Sequence, residues 1–265
     1  MNKINKYPFP VCKILGVPVS VTNMGAVTAY LEEKTDSLRG TYICVCNVHT
    51  TVMAYEEEAY MQVQKGAAMV LPDGKPLSVL SRKRGFVKAE RVAGPDLMEQ
   101  MFRKGNAGDG LRHYFYGAAE DTLSKLSKQL KEHYPGLQIA GMYAPPFRAL
   151  TEDEETEIVR RINETKPDII WIGLGAPKQE KWMAHMKGKL CGVMIGVGAG
   201  FDFHAGTVKR APRFLQKLSL EWLYRLTQDP KRLWKRYLVT NRRFLLETAK
   251  ETRRKNKEEA EIKSR

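Results

Sequence analysis

Short apolar, β-branched runs alternate with segments of helical period along most of this 265-residue chain, and no other sequence feature restricts the fold as much. Runs that are apolar on both faces must be covered on both, so they belong in a parallel sheet whose crossovers are helices. The pattern predicts strands over 41–46, 67–71, 113–116, 138–142, 168–172 and 191–197. Helices are expected over about 49–65, 96–104, 120–133 and 178–186. Thr151 and Glu154 have the spacing of a capping box, which starts one more helix running to about 164. The expected fold is therefore α/β, a Rossmann-like and mostly parallel sheet flanked by helices. The glycine-rich bend at 105–110 suggests a division into an N-terminal α/β part (1–105) and a Rossmann-like part (106–208), followed by a basic helical appendage (209–265).

That appendage is set apart by charge. Residues 209–265 hold 18 Lys and Arg against 7 Asp and Glu, a net +11 out of +14 for the whole chain. Its apolar residues recur at helical spacing: Phe214, Leu215, Leu218, Trp222 and Leu226, then Leu233, Trp234, Tyr237 and Leu238. Asp229 and Pro230 form a cap and first-turn pair for the second helix. Two basic amphipathic helices on a nearly neutral body point to an anionic surface. Nucleic acid is the rival partner, through phosphate contacts and base stacking, but the aromatics fall at core spacing. The charged end, 251–265, is expected to fray. No apolar run reaches the roughly 18 residues of a spanning helix, and the N-terminus lacks a signal peptide's apolar stretch, so membrane contact would be peripheral. Cys12, Cys44, Cys46 and Cys191 show no CxxC spacing, and Cys44 and Cys46 would share one face of a strand as reduced core thiols. A cytoplasmic location follows.

Ligands of open α/β sheets bind beyond the carboxyl ends of the strands, where helix N-termini present unpaired N–H groups. Three glycine-bearing loops fall there, at Gly117, at Gly173 and Gly175, and at Gly196, Gly198 and Gly200. Tight strand–helix turns need glycine anyway, but three such loops together favour a nucleotide or a diphosphate. None is GxGxxG with an acidic residue about 20 positions on, which counts against a nicotinamide-dependent oxidoreductase, and none is a P-loop. Pro72-Asp73-Gly74 follows a buried strand and would hold Asp73 at the same mouth; it is also an ordinary turn sequence. Arg91 and Asp96 carry the same ambiguity, since Asp96 is also placed to cap a helix. The five histidines are scattered, and neither an HExxH pair nor an Asp-x-Asp pair occurs, so neither a metal ion nor a cofactor is expected. A Gly-x-Ser-x-Gly nucleophile elbow is also missing.

Six segments combine these features in one order: VCNVHTTVMA, LPDGKPL, RVAGPDLMEQM, GLGAPKQEKW, GVGAGFDFHAG and RAPRFLQKLSLEWLYRLTQDPKRLWKRY. In this the chain resembles the WecG/TagA/CpsF family of bacterial glycosyltransferases, family twenty-six of the sequence-based classification, over roughly residues 14–245. The resemblance implies a membrane-associated, metal-independent and inverting enzyme. Such an enzyme moves a sugar, N-acetylmannosamine or its uronic acid in the best-known members, from a UDP-sugar donor to a polyprenyl-diphosphate-linked acceptor. The products are wall teichoic acid linkage units, enterobacterial common antigen or exopolysaccharide.

Carried over residue by residue, the resemblance makes Asp73 the general base that takes the acceptor hydroxyl's proton. It places Asn47 and Arg91 in the same pocket and gives Gln179 a sugar or diphosphate contact. With no metal, the charge developing on UDP must be met by arginines and oriented N–H groups. The nucleotide side is then expected at Gly117, Gly173, Gly175, Lys178, Gly198 and Asp202. Arg225, Arg232 and Lys235 or Arg236 match positions that reach back over the site to the lipid-linked diphosphate. Val45 departs from the family, which often has a hydroxyl residue there, and Thr50 is the candidate replacement. The expected location is the cytoplasmic face of the cell membrane, held by 209–265, with no nucleic-acid partner and with homo-oligomerisation left open.

Overall fold

The computed structural model describes residues 7–212, 215, 221–228 and 230–263. The chain opens with a hairpin of β1 (Val11–Ile14) and β2 (Val17–Ser20), turned by Leu15 and Gly16, both at positive φ. Positive φ at both central residues matches the twist of a two-residue hairpin, so Gly16 fits there and Leu15 bears the strain. Helix α1 (Met24–Lys34) follows, capped by the Asn23 side chain, which accepts from the Ala26 N–H at 2.9 Å. Neither the hairpin nor α1 is predicted from the sequence: proline and glycine interrupt the apolar residues of the hairpin, and those of α1 are spread around the helix and form no single stripe.

A single parallel sheet then runs through the molecule. In chain order its strands are β3 (Tyr42–Cys46), β4 (Met69–Pro72), β5 (Arg112–Gly117), β6 (Gln138–Tyr143), β7 (Ile169–Gly173) and β8 (Val193–Gly196). In space the order is β4-β3-β8-β7-β5-β6, so the two strands before the 105–110 bend share one sheet with the four after it. Between the strands lie α2 (Val48–Glu56), α3 (Glu58–Gly66), α4 (Lys75–Lys83), α5 (Gly94–Asn106), α6 (Glu120–His133), α7 (Glu152–Glu164) and α8 (Lys178–His185), with the short α9 (Gly200–His204) after β8. Side chains alternate across the pleat. Cys44, Cys46, Val70, Ile170, Ile172 and Met194 pack on one side with Val52, Tyr60, Ile158, Ile162 and Met183 from α2, α3, α7 and α8. Ile43, Val45, Phe115, Trp171 and Ile195 pack on the other with Leu31, Phe102, Leu126 and Phe201 from α1, α5, α6 and α9. The shared face of Cys44 and Cys46 is as the strand period requires.

Two local expectations need correction. The helix expected over 49–65 is two helices, because Glu57 is extended (φ −122°, ψ 105°). The Glu57 N–H closes α2 on Met53 O, its carbonyl opens α3 at the Met61 N–H, and its carboxylate meets Lys181 of α8 at 2.8 Å. After the break, Tyr60, Met61 and Gln64 of α3 are buried in the core. The second is at the C-terminus, where the end expected to fray is helical as far as it is described: α10 (Glu221–Gln228) is followed by α11, which runs over Pro230–Lys263. Good helix formers and the i,i+4 pairs Arg254–Glu258 and Lys257–Glu261 extend it. Phe214, Leu218 and the Asp229 cap lie outside the described residues.

Helix α11 is docked on the body. It packs along α2, buries Phe244 in the core, and pairs Glu251 with Arg84 at 2.8 Å and with the Leu15 N–H at 3.2 Å. Leu223 of α10 and Trp234, Leu238, Val239, Leu245 and Leu246 of α11 remain exposed. Among the described residues no helix is long and apolar enough to cross a membrane.

Candidate active site

The sheet's carboxyl ends bring most of the expected residues to one edge of the molecule. Asn47 follows β3 directly and starts α2: its Oδ1 accepts from the N–H groups of His49 (3.0 Å) and Thr50 (3.2 Å). Thr50 Oγ1 accepts from the Asn47 N–H at 2.9 Å, completing a capping box. Thr50 is buried, so its hydroxyl supports Asn47 from behind, whereas Asn47 is half-buried at the rim. Below them, burial pushes the Cys46 thiol up to about 11, against the opposing hydrogen bonds from Thr50 and Thr51, so it stays a neutral thiol.

Asp73 leaves the neighbouring strand β4 at the same level, and its N–H donates to Cys46 O at 2.8 Å. The backbone bond fixes where the carboxylate emerges. Arg91 holds it twice: Nε donates to the Asp73 carbonyl at 2.6 Å, and Nη2 meets Oδ1 at a looser 3.3 Å. Arg91 is itself placed by the Val92 N–H bond to Pro72 O, which lays the 84–93 segment along the end of β4. On its far side Arg91 Nη1 lies 3.6 Å from Asp96, and Asp96 Oδ1 pairs with Arg210 at 2.6 Å. Ala93, not Asp96, is the N-cap of α5; Asp96 sits in the first helical turn with its carboxylate directed to the two arginines. Gly94 lets this turn approach β8, since a Cβ there would lie 3.2 Å from Val197 Cα.

The glycine loops lie further along the same edge. Gly117, at φ +122°, touches Gly173 so closely that a Cβ would come within 2.7 Å of the Gly173 carbonyl. Ala118 then donates its N–H to Gly173 O at 3.1 Å, tying the β5 and β7 ends together. Gly175 (φ +76°) and Gly198 (φ +54°) turn the next two loops, and Lys178 opens α8 as an exposed side chain. Gln179 is almost fully buried and joins two loops: its Oε1 accepts from the Gly198 N–H at 3.0 Å, and its Nε2 donates to Glu180 Oε1 at 2.7 Å. Those partners fix the carboxamide's orientation, because an N–H needs oxygen and a carboxylate needs N–H₂. Asp202 lies in α9, where its carbonyl and carboxylate receive Thr207.

From β4 to β5 this edge spans four strand spacings, roughly 19 Å at ~4.8 Å each. Asp73 stands at one end of that span and Gly117 at the other. Arg225 lies on α10 and Arg232, Lys235 and Arg236 on α11, with side chains outside the described set. No group of three or more His, Cys, Asp or Glu is placed to hold a metal ion among the described residues.

Sequence reasoning missed Arg210 and Glu180 in this region and left Asp96 open between the site and a helix cap. Arg210 carries no local signal, because its partner is more than a hundred positions upstream. Asp96 looks like a capping residue in sequence. Glu180 looks like a solvated helix charge but is buried, and burial raises its pKa above the ordinary carboxylate value although the Gln179 bond pulls the other way.

Residues 12–258 match the model of the glycosyl transferase WecG/TagA/CpsF family. Among curated proteins, the N-acetylglucosaminyldiphosphoundecaprenol N-acetyl-beta-D-mannosaminyltransferase of Bacillus subtilis (strain 168) is 31% identical over 229 residues, covering 85% of this chain and 86% of that protein. The proteins of the same name from Bacillus spizizenii and Staphylococcus aureus (strain MW2) are 32% and 29% identical, covering 80% and 83% of this chain and 78% and 85% of theirs. The family match takes in the β4 turn, the three glycine loops and the C-terminal helices together, and the chain belongs to the WecG/TagA/CpsF family of glycosyltransferases.

Proposed function

We propose that the protein transfers N-acetylmannosamine, with inversion and without a metal ion, from a UDP-sugar to N-acetylglucosaminyl-diphosphoundecaprenol. The observation that carries this is the Asp73 carboxylate at the strand mouth, fixed through its backbone and held loosely by Arg91. The printed names of the relatives supply the transferred sugar and the acceptor. Asp73 takes the proton of the acceptor hydroxyl, that oxygen bonds to the anomeric carbon, and the bond from that carbon to the diphosphate oxygen breaks on the opposite face. Asn47 and Arg91 orient the reacting groups, with Thr50 acting through Asn47. Gln179 lines the sugar and diphosphate side by holding the Gly198 loop. Gly117, Gly173, Gly175, Gly198, Lys178 and Asp202 form the nucleotide side, where N–H groups and cations meet the charge on departing UDP.

Residues 1–105 supply the base, 106–208 the donor side, and 209–265 the docking helices. The apolar stripe of Leu238, Val239, Leu245 and Leu246 beside Arg242 and Arg243 suits an anionic bilayer surface. Arg225, Arg232, Lys235 and Arg236 are placed by this reading over the lipid-linked diphosphate on the membrane's cytoplasmic face. The test incubates the enzyme with a panel of UDP-sugars and the undecaprenyl-diphosphate acceptor, with and without EDTA. A β-linked disaccharide from the α-linked donor, unchanged by EDTA, is the expected product. An α-linked product, or transfer only with added metal, refutes the proposed mechanism; no transfer from any UDP-sugar refutes the donor.

A further inference from the structure

Four partly buried charges of alternating sign run away from the site: Asp73, Arg91, Asp96 and Arg210, with side chains about a fifth to a third exposed. They come from four places in the chain, the end of β4, the 84–93 segment, the first turn of α5 and the segment after α9, so only the tertiary fold assembles them. Contact lengths are unequal. Asp96 meets Arg210 at 2.6 Å but Arg91 at 3.6 Å, and Arg91 meets the Asp73 carboxylate at 3.3 Å.

We propose that Asp96 and Arg210 are positioning residues that set how closely Arg91 approaches Asp73, and so keep Asp73 both oriented and able to accept a proton. This rests on reading Asp73 as the base. A carboxylate closed into a tight guanidinium pair is a poor proton acceptor, whereas one with no cation nearby loses its orientation. Asp96 draws Arg91 back from the first extreme. Arg210 satisfies Asp96, so that Arg91 is not drawn off altogether. The first turn of α5 also favours a negative charge at Asp96, so the carboxylate stays in place when Arg210 is lost. Arg210 lies at the root of the basic segment, where the chain leaves the sheet, so the body–appendage junction takes part in setting the base.

Full-length Arg210→Gln, Arg210→Lys, Asp96→Asn, the Asp96→Asn/Arg210→Gln double variant and Asp73→Asn are compared in steady-state transfer from UDP-N-acetylmannosamine to the lipid-linked acceptor. UDP affinity and Tm are measured alongside. Arg210→Gln and Asp96→Asn are each expected to lower kcat about tenfold while donor KM and UDP affinity stay within about twofold. Arg210→Lys restores most of the loss by restoring the charge. The double variant falls no further than the worse single one, because both act through Arg91. Wild-type kcat in either single variant, multiplied losses in the double, or a loss that lysine does not restore overturns the proposal. If Asp73→Asn is inactive while Asp96→Asn and Arg210→Gln turn over normally, only this inference fails. If Asp73→Asn itself turns over normally, the base assignment fails with it.

Discussion

Replacing Asp73 by Asn separates a catalytic carboxylate from a turn residue, because the two roles predict effects of very different size. Asn keeps the shape of the side chain, the N–H bond to Cys46 and the Arg91 Nε bond to the Asp73 carbonyl, none of which uses the carboxylate. It is also a favoured turn residue. Among the described residues the ion pair it gives up is the one with Arg91, at 3.3 Å between side chains 28% and 29% exposed, which contributes at most about 1 kcal/mol. That corresponds to a Tm change below about 4 °C for a chain of this length. Loss of a general base removes about 10²–10⁴-fold in rate, or roughly 3–5 kcal/mol of barrier. Turnover should therefore collapse while Tm and UDP affinity stay near wild type. Initial rates with the lipid-linked acceptor, a thermal melt and UDP titration calorimetry measure the three quantities. Turnover within about threefold of wild type would make Asp73 a turn residue and refute the mechanism.

Three further outcomes follow from other parts of the molecule. Gly117→Ala places a Cβ within 2.7 Å of the Gly173 carbonyl at a φ of +122°, and should lower stability by about 3 kcal/mol, a Tm drop of roughly 6–12 °C, with UDP binding weakened; an unchanged melt contradicts the close approach of the two loops. For Glu180, burial raises the folded-state pKa, so the stability due to its protonated form is fully present below the unfolded carboxylate pKa of ~4.3 and is lost as pH rises through the folded value. Glu180→Gln cannot ionise, so its urea midpoint should gain on wild type as pH rises above about 4.3, and parallel curves would refute the burial argument. Leu245→Glu with Leu246→Glu replaces two exposed apolar side chains of α11, and should abolish sedimentation with phosphatidylglycerol vesicles while leaving Tm within about 2 °C; undiminished binding would remove α11 from the membrane reading.

Much of the sheet is legible in the sequence because each strand carries its own signal. Tyr42–Cys46, Ile169–Gly173 and Val193–Gly196 are short, apolar on both faces and flanked by turn residues, and a parallel sheet is the structure that covers both faces. The Thr151–Glu154 capping box is likewise a local hydrogen-bond pattern and forms as read. The break at Glu57 has no such local signal, because the helical period runs on across it from Thr50 and Ala54 to Met61 and Gln64. Helix α1 and the hairpin have weak periodicity and are fixed by packing, as is the part of α11 docked on α2.

The same division holds at the site. By itself the sequence determines which chemistry is present: a carboxylate after a buried strand, glycines at three loop positions and a basic, aromatic C-terminal segment, each set by residue type and local spacing. The tertiary structure decides which of these groups meet. It puts Asn47 beside Asp73 because β3 and β4 are neighbours in register, buries Gln179 and Glu180 under the Gly198 loop, and gives Asp96 a partner in Arg210. A charge has no sequence signature for its distant partner, since electrostatic energy depends on separation and burial in space and not on position along the chain.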